Sequence, residues 1–324
     1  MELLKPLSNA FQCPTCNGFD GFSYSVLQAE CKKCHAAFDV FDLFDILLTK
    51  MNDSELWSFP FAIISQFRLA PVCQAILNDE SIRFRPYEPV TLDFRQRGLP
   101  KDARLLYVNI SPYSRGNLPP VTLGFAYLGG NARRSISDLS HTIRIVPVPP
   151  PHSTDDWSDP DQYLLAAIMV RWYEEGIHDV VSDQLVRAAE GYWKDDLPDM
   201  IYYGFTAFEI SLSNLVDDFW QSGFRLNEKE YESLLGKDSA DKRMRVHLPL
   251  LCRVLGLPFS DEVRNRFNIL HELRKQRNAV VHDGQLDGEL LYPKGKLFAA
   301  LCWGLLFLKE LRSRLPPAVQ TNKF

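Results

Sequence analysis

The sequence contains no apolar run long enough to cross a membrane. Its best candidate, Leu297–Leu308, has only 12 residues, well short of the roughly 20 that a membrane-spanning helix needs. The first residues, MELLKPLSNAFQC, also lack the apolar core of a secretory signal peptide. We therefore expect a cytoplasmic protein that has no membrane partner.

An excess of positive charge is also missing. The 36 Lys and Arg residues are outnumbered by 41 Asp and Glu, which gives a net charge of −5. Proteins that coat nucleic acid non-specifically depend on a large positive excess, so that class is excluded, whereas a local basic patch is compatible with these numbers. The apolar fraction of 46% excludes a wholly disordered chain, and the length of 324 residues predicts two or three domains.

Disulfide bonds are not expected in a reducing compartment, so the seven cysteines indicate metal ligands or buried thiols. Four of them form two pairs, Cys13 and Cys16 in CPTC and Cys31 and Cys34 in CKKC, with fourteen residues between the pairs. Each Cys-x-x-Cys turn directs two thiolates at one metal, and two turns complete a tetrahedron. The spacing predicts one structural zinc site, with a rubredoxin-type iron site or coincidental thiols as the alternatives.

Two short predicted strands, Gly21–Val26 and Ala36–Phe41, accompany the cysteine pairs. Residues 11–41 as a whole resemble a zinc ribbon. Four thiolates leave no open coordination position, so we expect a structural or docking module, with a protein partner for the ribbon. His35 follows Cys34 directly, and we interpret it as a bystander because the ligand set is already full.

The middle of the chain changes its apolar period twice. Residues 41–52 are spaced as a helix, and residues 55–78 as two helical pieces broken at Pro60 and Pro71. Alternating or β-rich segments then predict a small antiparallel sheet or sandwich. These segments are Ser81–Phe94, Ala103–Ile110, Val121–Leu128 and His141–Val148. The run Pro147–Pro151 predicts a stiff connector and a domain boundary.

Helical periodicity dominates from Asp159 onward and predicts an α bundle. The predicted helices span residues 159–176, 178–195, 198–222, 239–255, 260–282 and 294–314. The predicted fold class is therefore a multidomain α+β protein. Its domains are a zinc ribbon at 1–41, a helical connector at 42–80, a central β domain at 81–150 and an all-α helical domain at 155–316.

One helix of this region carries an arginine and a histidine in a distinctive setting. The segment LHELRKQRNAVVH contains Arg277, Asn278 and His282, with four residues between the arginine and the histidine. It resembles the signature helix of HEPN-domain proteins, which are helical bundles. Many of them are metal-independent ribonucleases of toxin–antitoxin, CRISPR-associated and antiphage systems. The resemblance implies an RNA endonuclease with Arg277, Asn278 and His282 as its catalytic residues.

These residue types suit RNA cleavage without a metal, in which the 2′-OH of the RNA attacks the adjacent phosphate. A histidine that titrates near neutral pH can transfer the proton, and an arginine can hold the charge that develops on the phosphate oxygens. An asparagine can orient either partner. The alternative is a non-catalytic HEPN-like dimerisation or nucleic-acid scaffold, in which His282 merely lies at a helix end that favours a cation.

Helical geometry separates the two main residues of the motif. At 100° per residue, Asn278 and His282 lie about 40° apart, but Arg277 and His282 lie about 140° apart. Two such helices meet across a dimer in HEPN proteins, so the resemblance implies a homodimer. His271 and Lys275 share the stripe of His282 and are predicted supporting residues.

Glu209 lies on the apolar stripe of the helix predicted at 198–222, and Arg277 lies near the apolar side of its own helix. A carboxylate in such a position should be paired or protonated. We therefore predict a buried ion pair between Glu209 and Arg277. This pair makes Glu209 the third supporting residue.

Overall fold

The computed structural model describes most of the chain. The described residues are 4–6, 13–18, 20–49, 59–79, 81–113, 124–127, 141–148, 163–174, 179–224, 226–227, 229–230, 233 and 239–316. The chain forms two compact units. The β unit comprises Met1–Ala10 and Pro71–His178, and the helical unit comprises Phe11–Ala70 and Asp179–Phe324. The predicted mixture of helices and small sheets is confirmed.

The described residues of the β unit form two antiparallel sheets. The first has the order β1-β5-β10-β7, formed by Leu4–Pro6, Cys73–Asn78, Leu165–Glu174 and Ala103–Tyr113. The second has the order β6-β9-β8, formed by Val90–Asp93, Thr142–Val148 and Gly124–Tyr127. Buried residues of both sheets, such as Ile168 and Ile145, belong to one hydrophobic core. The two sheets therefore stabilise each other as a small sandwich.

The helix predicted over 159–176 and the second of the two helical pieces predicted within 55–78 are wrong, because the structure has strands there. Leu165–Glu174 is a strand between β5 and β7, whereas helix was predicted over 159–176. Both faces of this strand are largely buried, so it lacks the polar alternation by which a half-exposed strand is recognised. Cys73–Asn78 is likewise a strand, and only Phe59–Gln66 of the region 55–78 is described as helix.

The unit boundaries also differ from the predicted domains. The β unit continues past the proline run to residue 178, because β10 completes its first sheet. Residues 11–70 belong with the helices that follow residue 178, so neither a separate ribbon domain nor a helical connector at 42–80 describes them. The part of the connector beyond Val148 and the predicted helix start at Asp159 lie outside the described residues.

The helical unit begins with a three-stranded ribbon. Its strands are β2 (Phe22–Tyr24), β3 (Gln28–Cys31) and β4 (Ala37–Asp39), in the order β2-β3-β4. Helix α1 (Val40–Thr49) follows β4 without a loop, and the Asp39 carboxylate accepts the amide N–H of Asp42 at 3.1 Å. This hydrogen bond caps the first turn of α1 directly at the end of the ribbon.

The remaining six helices of the described residues include two that begin at aspartate caps. The six are α2 (Phe59–Gln66), α3 (Val180–Trp193), α4 (Leu197–Asp217), α5 (Leu248–Val254), α6 (Asp261–Asp283) and α7 (Lys294–Ser313). The carboxylates of Asp179 and Asp196 cap α3 and α4 by accepting amide N–H groups at 3.0 and 3.1 Å. Short helical turns, Ala240–Lys242 and Arg243–His247, precede α5.

Helix α7 forms the core of the helical unit. Almost all of its side chains from Leu297 to Leu308 are buried, and it packs against α1, α4 and α6. The apolar run noted in the sequence is therefore an interior helix. Among the described residues, no helix combines the length and apolar character that crossing a membrane requires.

Arg266 of α6 joins this core to the ribbon. Its side chain is only 6% exposed and contacts the Asp39 carboxylate at 2.9 Å and the Glu262 carboxylate at 2.5 Å. Its guanidinium also lies over the rings of Phe41 and Trp303, 5.0 and 5.1 Å from their centroids. One buried cation thus holds the end of the ribbon, α1, α6 and α7 together.

Candidate functional site

Two similar turns present the four cysteines of the ribbon. Asn17, four residues after Cys13, has a φ of 54°, and His35, four residues after Cys31, has a φ of 57°. Each donates its amide N–H at 2.9 Å to the carbonyl of the cysteine that opens its turn. A Cβ at Gly18 would meet Cδ of Lys33 at 2.5 Å, so a larger residue there would have to displace the flexible Lys33 side chain.

The four sulfurs lie at distances that suit a shared metal ion. Cys13 and Cys34 are 3.8 Å apart at Sγ, as are Cys16 and Cys31, and all four sulfurs lie within 4.8 Å of one another. Metal–sulfur bonds of about 2.3 Å in a tetrahedron place sulfurs about 3.8 Å apart. The cluster is therefore compatible with zinc, and the same geometry fits the alternative of a rubredoxin-type iron.

The electrostatics of the thiols also favour a cation. Burial raises the pKa of Cys31, but the amides of Cys34 and Lys33 lower it further, to about 7. The Ala36 amide lowers the pKa of Cys34, yet desolvation and the adjacent thiols raise it to about 12. A bound cation would offset the negative charge that accumulates when Cys31 and Cys34 both lose their protons.

His35 lies outside this cluster, as expected for a bystander. Its ring Nδ1 contacts the Glu30 carboxylate at 2.7 Å, and its side chain is 75% exposed. His35 adopts the left-handed backbone conformation that the second cysteine turn requires. Within the described residues, no group of histidine, cysteine or acidic side chains other than the four cysteines could hold a metal ion.

The second part of the site is α6, whose boundaries match the predicted helix closely. Ser260 caps its first turn by accepting the Val263 N–H at 3.3 Å, and Asp261 and Glu262 favour the positive end of the helix dipole. Gly284, with a φ of 72°, ends the helix and donates its N–H to the Val280 carbonyl at 3.0 Å. His282 therefore lies in the last turn.

Arg277 contacts Glu209 of α4, as the sequence indicated. The guanidinium Nη2 lies 3.5 Å from Oε2 of Glu209, and Nη1 donates to Oδ1 of Asn278 at 3.4 Å. The burial of this pair was predicted wrongly, because its side chains are 26% and 34% exposed. The pair lies near the end of α6, where the bundle no longer covers it completely, so solvent reaches both groups.

The three motif residues occupy different surroundings on one continuous helix. Arg277 faces α4 through its ion pair, Asn278 is half-buried, and His282 is exposed. Because α6 is unbroken from Asp261 to Asp283, the calculated 140° separation of Arg277 and His282 applies. The structure therefore brings Arg277 and Asn278 into contact but does not converge Arg277 and His282 within one chain.

The predicted supporting residues His271 and Lys275 have separate partners. Nδ1 of His271 lies 3.5 Å from the Asp241 carboxylate, and Lys275 pairs with Asp287 at 3.1 Å. Burial, together with Arg245 and Arg274, lowers the pKa of His271, while Asp241 opposes that shift. His271 is therefore neutral near pH 7 and joins a polar cluster around Asp241.

Sequence reasoning missed Gln276, which fastens the segment after α6 to the helix. Its fully buried amide donates to the Asp287 carbonyl at 3.1 Å and accepts the Asp287 N–H at 2.9 Å. It also donates to the Glu272 carboxylate at 2.9 Å. The sequence did contain a signal for it, because Gln276 is a polar residue on the apolar side of α6 and a buried polar side chain needs hydrogen-bond partners.

The chain was also compared with known proteins. No protein-family model, curated protein or solved structure matched it.

Proposed function

We propose that the protein is a metal-independent endoribonuclease of the HEPN type. The observation that carries the proposal is the setting of the motif on α6. Arg277 is oriented by Glu209 and contacts Asn278, while His282 is open to solvent in the last turn of the same helix. An oriented guanidinium and an accessible imidazole are the two groups that this reaction requires.

His282 transfers protons in the proposed reaction. It takes the proton of the RNA 2′-OH, or delivers one to the leaving 5′ oxygen, as an imidazole can in general acid–base catalysis. Arg277 stabilises the charge on the phosphate oxygens, and Asn278 positions one of the reacting groups. The products are a 2′,3′-cyclic phosphate or 3′-phosphate and a 5′-hydroxyl.

A complete site requires two copies of the chain. Because Arg277 and His282 point about 140° apart, we propose a homodimer in which the α6 helices meet across a two-fold axis. Each phosphate then contacts groups of both copies. A monodisperse monomer under conditions in which RNA is cleaved would contradict this part of the proposal.

The ribbon is proposed to bind one structural zinc and to dock a protein partner. Its sulfur geometry and amide donors support the metal, and its four thiolates would fill the coordination shell. By analogy with HEPN proteins, the setting would be prokaryotic antiphage defence or a toxin system.

The decisive experiment measures cleavage of RNA by purified protein in the presence of a chelator. Wild-type protein should cut RNA but not DNA, which lacks the attacking 2′-OH. His282→Ala and Arg277→Ala should each lower the rate by about 10²-fold or more. Matched controls are His35→Asn, an exposed histidine of the ribbon, and Arg253→Ala, an exposed arginine of α5. The zinc content is measured after the assay, because a chelator that strips the ribbon would confound the result.

A non-catalytic RNA-binding scaffold is the second candidate. The observation that favours it is the Glu209 carboxylate, which lies 3.5 Å from Arg277 and competes with phosphate for the guanidinium. Cleavage that persists at the wild-type rate in His282→Ala would remove the proposed mechanism. RNA binding without any cleavage by the wild-type protein would establish the scaffold instead.

A further inference from the structure

An exposed tyrosine of the β unit occupies a turn position that normally belongs to glycine. The Glu88 N–H donates to the Arg85 carbonyl at 3.2 Å, which closes a β-turn with Pro86 and Tyr87 at its centre. Tyr87 has a φ of 64°. Proline followed by a residue of positive φ is typical of a type II turn, whose third position favours glycine or asparagine. A tyrosine there is strained.

Burial of the ring does not offset this strain. Tyr87 is 69% exposed, so its side chain gains little from packing. Its backbone is nevertheless held firmly, because the Tyr87 N–H donates to the Pro147 carbonyl of β9 at 2.8 Å. Strain that persists without a structural benefit points to function, and here the fixed feature is an aromatic face presented to solvent.

A second flat surface lies four residues earlier in the same segment. Ile82 and Phe84 point into the core, so the intervening Arg83 points outward. The Arg83 guanidinium lies over the ring of Tyr163, 4.3 Å from its centroid. This stacking orders the cation while leaving its N–H groups available.

We infer that Tyr87 and Arg83 form a binding site for single-stranded RNA on the β unit. A base stacks on the Tyr87 ring, and a phosphate accepts hydrogen bonds from Arg83. Four residues span at most about 14 Å, so one short strand of RNA reaches both. Aromatic platforms combined with a cation are the means by which single strands are bound without sequence preference.

The charges of the segment favour this occupant over an acidic peptide. Arg85 pairs with Glu88 at 3.2 Å, whereas Arg83 is stacked on the ring of Tyr163. A base and its phosphate match the Tyr87 ring and the Arg83 guanidinium. The choice of RNA rests on the proposed ribonuclease function, but the stacking itself does not depend on cleavage.

The test measures RNA binding separately from cleavage and from folding. Full-length protein carrying His282→Ala is the background, so that the probe is not consumed. Binding of a fluorescent single-stranded RNA of about 12 nucleotides is followed by anisotropy between about 50 and 200 mM salt. Tyr87→Asn should weaken binding by about 10-fold, while Tyr87→Phe keeps it within about two-fold. Arg83→Gln should reduce the salt slope by about 0.7.

Thermal unfolding of the same variants separates a ligand site from a structural role. Asparagine tolerates positive φ, so Tyr87→Asn should melt at the same temperature as the background or higher. A melting temperature lowered by more than about 4 °C would assign the ring a packing role and overturn the inference. Unchanged RNA binding by Tyr87→Asn, or capture of a protein instead of RNA at this face, would overturn it as well. Failure of wild-type cleavage would contradict the proposed function alone.

Discussion

Replacing Arg266 by alanine is expected to destabilise the helical unit by about 2–4 kcal/mol. Loss of its contact with Asp39 contributes about 1–2 kcal/mol, less than a fully buried pair, because Asp39 is 26% exposed. Loss of the two cation–π contacts with Phe41 and Trp303 contributes about 0.5–1 kcal/mol each. Loss of packing around the buried side-chain stem favours the upper end of this range.

Arg264 provides a matched control on the same helix. It also contacts an acid, Asp261 at 3.1 Å, but its side chain is 61% exposed. Its replacement by alanine should change the free energy of unfolding by only about 0–0.5 kcal/mol. The two variants remove the same charge, but they differ in burial, in aromatic contact and in the second carboxylate, Glu262, that Arg266 contacts.

The assay is urea unfolding followed by far-ultraviolet circular dichroism. All the described α-helices lie in the helical unit, so this signal reports mainly on that unit. A double-mutant cycle of Arg266→Ala with Asp39→Asn isolates the ion pair, with an expected coupling of about 1–2 kcal/mol. Equal destabilisation by Arg264→Ala and Arg266→Ala would refute the reasoning that burial and stacking make Arg266 the link between ribbon and helices.

Three further predictions follow from the described contacts. Cys31→Ser should lower the zinc content measured by elemental analysis. It should also lower the melting temperature of the helices, because the ribbon belongs to the same unit, and an unchanged helical transition would contradict this coupling of ribbon and helices. Glu209→Gln should cost only about 0–1 kcal/mol in urea unfolding, since both side chains of its pair with Arg277 are partly exposed, and a loss of several kcal/mol would mean that the pair is shielded from water. Because the pKa of His271 is lowered in the folded chain, its stabilising contribution is present above its ordinary value of 6.5 and is lost as the pH falls through the lower folded value. His271→Gln should flatten the decrease in melting temperature on acidification, and an unaltered pH profile would show that His271 does not cause it.

Local signals allowed much of the site to be predicted. The two Cys-x-x-Cys pairs predicted a cluster whose sulfurs do lie together, and Ser260 and Gly284 marked the ends of α6 almost to the residue. Polar residues on apolar stripes were informative as well, since the position of Glu209 correctly indicated contact with Arg277. Each of these inferences depends on residues close in sequence or on a single helical face.

What could not be predicted depends on distant partners. Leu165–Glu174 is buried on both faces, so its pattern does not distinguish a central strand from a buried helix until its neighbours β5 and β7 are known. Arg266 gave no signal that it would reach Asp39 across more than 200 residues of chain. The degree of burial at the Glu209–Arg277 pair is likewise set by how far the surrounding helices extend.

The order in which the chain is made has a consequence for the helical unit. Synthesis of the β unit is complete at residue 178. Helix α1, however, packs against α7, which ends about 260 residues after the end of α1. At about 5–20 residues per second this interval lasts roughly 13–50 s. During that time the apolar face of α1, with Leu43, Phe44 and Leu47, lacks the helix against which it packs in the finished protein. A chain released before residue 294 therefore carries an uncovered apolar helix beside its cysteine cluster, and premature termination should yield an aggregating fragment rather than an inert one.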